Sequence, residues 1–367
     1  MNKKSIVLFI KTLSSGGAEH QLVLLADGLA EKGYDVTIAT FGDVEDHYQY
    51  SSSVHRYRIA PGKSGPVKML AIWRYFFTVK ADCVIGFGQR VSRYFILPLM
   101  LRPRKKIMAI AGERFLTLGK PSRKVRIMRY FLYRRADYIV SNSYAQWKNI
   151  IGKMPQYESK TMTITNYTDT TLYQVTPLRN GETLRIGVFA RYAVSKNCLR
   201  FVESIKQLVH RTQQKFVIEW YGNQHVKGEA NPYYREMLDK VQEYGLDDYL
   251  VLNDHIKDVA KVMAQYDAIV HPSLGEGFSN AIGEAICCGK PCLVSNVSDN
   301  SVMVTDGVNG FLFDPQNEGS IVDAFLKYFG LSAEEKQAMG QASRKRAEEL
   351  FDRDRFINAY VNLIESK

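Results

Sequence analysis

Residues 5–41 read SIVLFIKTLSSGGAEHQLVLLADGLAEKGYDVTIATF, and the order of their patterns decides the fold class. SIVLFI (Ser5–Ile10) is a continuous apolar run of strand length. HQLVLLADGLAEKGY (His20–Tyr34) then repeats apolar residues at helical spacing and ends around Gly33, and DVTIATF (Asp35–Phe41) is a second strand of the buried kind. Strand, helix and strand within about forty residues make a βαβ unit, which builds a parallel sheet. The alternation continues through ADCVIGFG (Ala81–Gly88), KIMAIAG (Lys106–Gly112) and ADYIVSNS (Ala136–Ser143). It stops at Met162–Glu182, a Thr/Asn/Gly/Pro-rich stretch without helical period that reads as an interdomain linker. A second series follows: LRIGVFA (Leu184–Ala190), FVESIKQLV (Phe201–Val209), KFVIEWYG (Lys215–Gly222), DYLVLN (Asp248–Asn253), DAIVHPS (Asp267–Ser273) and PCLVSN (Pro291–Asn296). The stretch from Ala333 to Lys367 is helical throughout. The pattern predicts an α/β protein of two doubly wound domains facing each other across a cleft.

The bulk numbers agree with that division. At 367 residues the chain is too long for one ordinary core. With 46% apolar and 24% charged residues it has the composition of a soluble globular protein. The longest uncharged apolar run, Tyr94–Leu101, falls far short of the ~20 residues a bilayer span needs, and the apolar start reads as a first strand rather than a secretory signal. Five cysteines, an odd number with Cys287, Cys288 and Cys292 crowded together, make neither a disulfide framework nor a zinc site and point to a reducing cytosol. The net charge of +11 is unevenly spread: residues 1–180 carry 28 Lys/Arg against 12 Asp/Glu, and residues 181–367 carry 21 against 26. Residues 51–150 alone hold 21 basic and 3 acidic side chains, so the first domain faces something anionic.

Chemistry concentrates in HPSLGEGFSNAIGEAICCGKPC (271–292). A helix starts immediately after Glu276-Gly277-Phe278, with Ser279 and Asn280 as cap-type residues and Gly289 as its stop. Free N–H groups and the positive end of the dipole suit a phosphate there. Glu284, roughly 7 Å further along the helix, is too deep for a phosphate but suits a ribose diol, while Glu276 suits hydroxyls of a group attached to the phosphate. A capping loop followed by an ordinary solvent-facing glutamate remains the plainer alternative for either residue alone. Arg191 and Lys196 follow the strand LRIGVFA, and two cations opposite an anion-binding helix start fit a diphosphate leaving group. SSGGAEHQ (Ser14–Gln21) lets the backbone approach a ligand closely at Gly16 and Gly17. It lacks the G-x-G-x-x-G fingerprint, GFGQRV (86–91) lacks its last glycine, and neither a P-loop nor a G-x-S-x-G motif occurs.

Taken together, GGAE, ADYIVSNS, ITNYTD, R-x4-K at 191–196, the 271–295 segment and DGVNGFLFDP (Asp306–Pro315) resemble the retaining glycosyltransferases of family 4, also called group 1, which have the GT-B fold. The resemblance covers nearly the whole chain. It implies two Rossmann-like domains: 1–172, acceptor-binding and completed by a C-terminal helix at about 351–367 crossing back to it, and 173–350, binding a nucleotide-sugar. By that resemblance Glu276, Arg191 and Lys196 are catalytic. Gly17, Gly277, Phe278, Ser279, Asn280 and Glu284 hold the donor, and no metal or other cofactor is needed. AGERFLT (Ala111–Thr117) departs from the family's usual His-Asp loop and puts Glu113 and Arg114 on the acceptor side. Ser298-Asp299-Asn300 stands where Gly-Gly is usual.

The implied activity is transfer of a sugar, from a UDP-linked donor, to a glycan or polyprenyl-lipid-linked acceptor in bacterial cell-surface polysaccharide assembly. A non-catalytic GT-B partner protein and a nucleotide-sugar epimerase are the alternatives. RVSRYFILPLMLRPRKK (Arg90–Lys106) and KPSRKVRIMRYFLYRRAD (Lys120–Asp137) interleave basic and apolar residues, which suits peripheral contact with an anionic membrane from the cytoplasmic side or, equally, helices whose charges face water. No nucleic-acid motif accompanies them.

Overall fold

The computed structural model describes residues 3–14, 16–88, 91–102, 107–113, 123–176, 181–226 and 228–366, with the side chains of 123–126 excepted. The chain divides into two compact units, 1–166 with 353–367, and 167–352.

In the first unit the elements run β1 (Ser5–Ile10), α1 (Gly17–Glu31), β2 (Asp35–Thr40), β3 (His55–Arg58), α2 (Gly65–Thr78), β4 (Cys83–Gly86) and α3 (Ser92–Leu101). They continue with β5 (Met108–Glu113), α4 (Arg123–Arg135), β6 (Tyr138–Ser141), α5 (Tyr144–Lys153) and β7 (Thr161–Thr163). Among the described residues these strands form one seven-stranded parallel sheet, ordered β3-β2-β1-β4-β5-β6-β7. The order reverses between β1 and β4, which makes a switch point beside the start of α1. Strands covered by helices on both faces are apolar on both faces, which is why SIVLFI is buried from Ile6 to Ile10. Phe9, Phe76 and Phe95 meet at ring-centroid distances of 4.8–6.2 Å in this core. Thr161–Thr163 is an edge strand rather than the beginning of a linker; three residues carry too little apolar pattern to announce themselves.

The second unit runs β8 (Leu184–Phe189), α6 (Cys198–Arg211), β9 (Phe216–Tyr221), a small hairpin of β10 (His225–Val226) and β11 (Glu229–Ala230), α7 (Pro232–Glu243) and β12 (Leu250–Asn253). After these come α8 (Val259–Met263), β13 (Ala268–His271), α9 (Asn280–Cys287), β14 (Cys292–Ser295), α10 (Asn300–Met303), β15 (Gly310–Phe313), α11 (Glu318–Phe329) and α12 (Ala333–Leu350). Its six-stranded parallel sheet is ordered β12-β9-β8-β13-β14-β15, with the reversal between β8 and β13. Trp220 is fully buried between Tyr192 and Phe201. All five cysteines are buried and free. Among the described residues no helix is long and apolar enough to cross a membrane.

The expected pair of doubly wound α/β units is therefore present. The helical tail is not continuous: it breaks after Leu350, and α13 (Arg353–Glu365) returns to the first unit. There Arg353 pairs with both carboxylate oxygens of Glu31 at 2.7 Å, and Lys4 pairs with Glu365 at 2.7 Å. The apolar anchor is Ile357 against Gly28 of α1, where an added Cβ would lie 2.3 Å from Ile357 Cδ1. Gly28→Val should accordingly lower the melting temperature by several degrees, an overpacking cost of about 1–3 kcal/mol. Limited proteolysis should then release α13 first; an unchanged melting curve would contradict the packing role.

Candidate active site

Strands β8 and β13 lie side by side (Ala268 opposite Ile186, Ile269 opposite Gly187), so the loops at their carboxyl ends leave the sheet together at the switch point. Open parallel sheets bind ligands at this place. The loop after β8 carries Arg191 and Lys196. It is pinned at one end by buried Tyr192, whose hydroxyl donates to the carbonyls of Trp220 (3.1 Å) and Asn253 (2.8 Å). At the other end Asn197 adopts a left-handed conformation (φ 62°) and donates through Nδ2 to the Pro315 carbonyl at 2.7 Å. The loop after β13 carries Glu276, and the Leu274 N–H donates to the Ser195 carbonyl at 2.9 Å, tying the two loops together.

Lys196 and Glu276 form an ion pair within this frame, with side chains only 15% and 14% exposed. The same Glu276 oxygen lies 2.8 Å from His271 Nε2. Burial on its own would push the Glu276 carboxyl up, but the Lys196 charge and the His271 hydrogen bond outweigh it and hold the group well below the usual carboxylate range. His271 moves down, through burial first and the Lys196 charge second, so it is neutral at pH 7. An ionised carboxylate only accepts, so the proton belongs on Nε2. That assignment leaves Nδ1 a buried acceptor without a partner among the described residues. The Ser273 and Ser279 hydroxyls lie 3.1 and 3.3 Å from Nε2.

The Glu276 backbone is also held: its N–H donates to Ser298 Oγ at 3.1 Å. Ser298 sits at φ 53°, a left-handed conformation that favours glycine. This accounts for the departure from Gly-Gly noted in the sequence, since the hydroxyl gives the strained position a contact that glycine lacks. Immediately beyond, Ser279 caps α9, its hydroxyl accepting from the Ile282 N–H. Gly277, Phe278, Ser279 and Asn280 thus surround the helix start, with Phe278 buried at 4% exposure against Phe351. Glu284 lies about 6 Å along the axis from Asn280. It is half-buried and hydrogen-bonded to Tyr173, and burial pushes its carboxyl up to about 7, the Tyr173 bond opposing. Arg191 is exposed and has no ion pair among the described residues.

Gly17 and Glu113 belong to the first unit. Gly17 is the exposed first residue of α1, following the Gly16 cap, which exchanges hydrogen bonds with the Tyr48 hydroxyl at 3.2 and 3.1 Å. Glu113, expected to face an acceptor, is instead 1% exposed at the end of β5. It accepts from the Tyr133 hydroxyl and from Gln146 (3.4 Å), and Arg129 of α4 lies 3.5 Å away. Its hydrogen-bonding capacity is met inside the unit. Arg114 lies outside the described residues. His271 and Tyr173 were not singled out from the sequence, and Ser298 was noted there only as a departure from Gly-Gly; His271 carried a signal, as the polar end of an apolar strand five residues before Glu276. Among the described residues no cluster of three or more His, Cys, Asp or Glu side chains is placed to hold a metal ion.

Solved structures share this fold. Anabaena Alr3699/HepE, solved in complex with UDP and glucose, matches with a TM-score of 0.82 at 18% identity, over 99% of this chain and 100% of that one. Sucrose-phosphate synthase from Thermosynechococcus elongatus matches with a TM-score of 0.83 at 16% identity, over 99% of both chains. The fold is that of the GT-B glycosyltransferases. Residues 15–172 match the family model described as Glycosyltransferase Family 4, and residues 183–330 match Glycosyl transferases group 1, so the chain belongs to this glycosyltransferase family. The O-antigen chain mannosyltransferase C of Escherichia coli is 22% identical over 380 residues, 96% of each chain. The UDP-Gal:alpha-D-GlcNAc-diphosphoundecaprenol alpha-1,3-galactosyltransferase of Escherichia coli is 36% identical over 70 residues, and the match spans 18% of that relative's length.

The raised Glu284 carboxyl has a signed consequence for stability. Its folded value, about 7, exceeds its unfolded one, so its stabilising contribution is complete below the unfolded value and is lost as pH rises through about 7. Glu284→Gln should therefore raise the melting temperature of the free protein at pH 8, by an amount corresponding to roughly 1–2 kcal/mol, and change it little at pH 4.5. Equal effects at both pH values would place the carboxylate in water. Ser298→Ala keeps the strained backbone but loses the hydroxyl, and should slow turnover by about tenfold with a small change in stability; turnover equal to wild type would show that the Glu276 loop does not depend on this bond.

Proposed function

We propose that the protein transfers a sugar from a UDP-linked donor to a glycan or polyprenyl-lipid-linked acceptor, with retention of anomeric configuration and without a metal, in the assembly of a cell-surface polysaccharide. The observation that carries this reading is the Lys196–Glu276 pair at the switch point, one loop away from the start of α9. In the free protein each charge neutralises the other. A diphosphate entering beside the helix start gives Lys196 a stronger anionic partner, joined by Arg191 and by the N–H groups around Gly277–Asn280. Glu276, released from Lys196 but still oriented by His271, then accepts hydrogen bonds from hydroxyls of the transferred sugar. Glu284 accepts from the ribose diol.

Charge grows on the diphosphate as the glycosidic bond breaks, so donors already aimed at it accelerate departure without rearranging. Those cations and the helix end supply what a divalent ion would supply elsewhere. The UDP preference draws on the UDP-bound Anabaena structure and the UDP-Gal-using Escherichia coli relative, and the polysaccharide role on the O-antigen mannosyltransferase. Such work belongs on the cytoplasmic side of the membrane, where the lipid-linked acceptor is presented.

Five measurements bear on this reading. Arg191→Ala alters an exposed side chain, so it should leave the melting temperature unchanged while lowering turnover by about 10- to 100-fold; Lys196→Ala should lower turnover by about 100- to 1,000-fold. Wild-type rates in both would remove the diphosphate role. Donor affinity should rise with pH through about 7 as Glu284 ionises, and Glu284→Gln should flatten that dependence. In a thermal-shift panel UDP-sugars should stabilise more than GDP- or ADP-sugars. Turnover should survive EDTA, and the product's anomeric configuration by NMR should match the donor's; inversion would exclude the retaining mechanism.

A further inference from the structure

We propose that Tyr173 is a positioning residue for the nucleotide half of the donor, its hydroxyl holding the Glu284 carboxylate for the ribose diol, and that Arg344 acts through Tyr173 by gripping the turn that carries it. The inference rests on the reading of Glu284 as the ribose contact and adds to it what sets that carboxylate in place.

The sequence reads Met162–Glu182 as a linker, yet from Tyr167 onward the chain belongs to the second unit. Two glycines mark how closely it runs along α9. A Cβ added at Gly283 would lie 2.9 Å from Thr168 Oγ1, and one added at Gly289 would lie 3.0 Å from Val175 Cγ1. Asp169 shapes the turn over Thr170–Leu172, accepting from the Thr171 N–H at 2.9 Å and from the Thr171 hydroxyl at 2.7 Å. Past Val175, the fully buried Lys290 donates to Thr176 Oγ1 at 2.8 Å, and that hydroxyl donates to the Ala264 carbonyl at 2.6 Å.

Arg344 of α12 ties this turn to the helix that carries Glu284. Its Nη1 donates to the carbonyls of Thr170 and Tyr173, each at 3.0 Å, and of Cys287 at 2.8 Å. Its Nε donates to Glu348 at 2.7 Å, which aims the guanidinium. Cys287 is the last residue of α9, so its carbonyl lacks an intrahelical partner, and a cation there also complements the negative end of the helix dipole.

The Tyr173 side chain, 9% exposed, hydrogen-bonds the Glu284 carboxylate. Phenylalanine would serve for packing alone; the hydroxyl is committed to the carboxylate. An ionised carboxylate accepts about four hydrogen bonds, so one from Tyr173 orients the group and leaves room for both hydroxyls of a diol. The same bond favours the ionised form, which is the form that accepts, against the effect of burial. The other titratable or charged groups around this stretch of α9 are Asp169, Cys287, Cys288, Lys290 and Arg344. Among the described residues none of them hydrogen-bonds the Glu284 carboxylate.

The test compares calorimetric binding of UDP and of 2′,3′-dideoxy-UDP, which lacks the diol, to the full chain from pH 6 to pH 9. The ratio of the two affinities cancels titration of the phosphates. In the wild type this preference for UDP should rise with pH through about 7. Tyr173→Phe keeps the ring, so the melting temperature should stay near wild type. Its preference for UDP should fall by about five- to tenfold at pH 7, with the midpoint moved to higher pH because the bond favouring the ionised carboxylate is gone. Arg344→Met should act in the same direction, Arg344→Lys should recover most of the loss, and Arg344→Met should add little in the Tyr173→Phe background. In turnover both Tyr173→Phe and Arg344→Met should raise the donor KM and leave kcat within about twofold. A wild type that binds the two nucleotides alike refutes Glu284 as the ribose contact and this proposal with it. A wild-type preference that Tyr173→Phe retains, with its midpoint unmoved, overturns this proposal alone. Fully additive losses in the double variant overturn the part assigned to Arg344. If Arg344→Met does not fold, the ratio and midpoint of Tyr173→Phe decide the claim.

Discussion

A cation and a carboxylate held together out of water at the carboxyl ends of β8 and β13 are the point on which the proposed site turns. Ion pairs of this kind contribute little net stability, because desolvating both charges costs about what their attraction returns. Removing one partner alone is expensive, on the order of 3–5 kcal/mol, since the other charge is left buried. This asymmetry constrains any ligand that engages Lys196. It must supply an anion to the lysine and, in the same event, hydrogen-bond donors to Glu276. A nucleotide-sugar carries both, its diphosphate and its sugar hydroxyls being covalently joined. In the proposed exchange His271 keeps Glu276 oriented, because its Nε2–H donates to that carboxylate independently of the lysine.

The scaffold meets the geometric demand with few residues. Strand order places β8 beside β13, so residues eighty positions apart in sequence come into contact. Tyr192 and Asn197 fix the first loop from both sides, and Ser298, itself at the strained φ of 53°, accepts from the Glu276 N–H and so holds the second. Strain retained at such a position persists only where the surroundings over-determine it, and here it supports the residue that carries the proposed sugar contact.

How much of this was legible in the sequence follows from the range of each interaction. The βαβ alternation is local, and SIVLFI, DVTIATF, LRIGVFA and DAIVHPS became strands within a few residues of their apolar runs. The cap at Ser279 and the start of α9 were also local and readable. Short strands with little apolar pattern, His55–Arg58 and Thr161–Thr163, were not. Arg191, Lys196, Glu276 and Glu284 could be singled out by type and spacing, yet the pairing of Lys196 with Glu276 could not, because it depends on strand order. Glu113 shows the converse. Its motif suggested a ligand-facing carboxylate, while Arg129, Tyr133 and Gln146 from two helices enclose it, which no spacing announces.

The central claim is that Lys196 exchanges Glu276 for the donor's diphosphate. A crystal structure with a bound, non-hydrolysable UDP-sugar tests it most directly. The account predicts Lys196 Nζ within hydrogen-bond distance of a phosphate oxygen, Glu276 separated from the lysine and accepting from a sugar hydroxyl, and the His271 Nε2 contact to Glu276 retained. A bound donor that leaves Lys196 paired with Glu276, its phosphates contacting neither Lys196 nor Arg191, would contradict it.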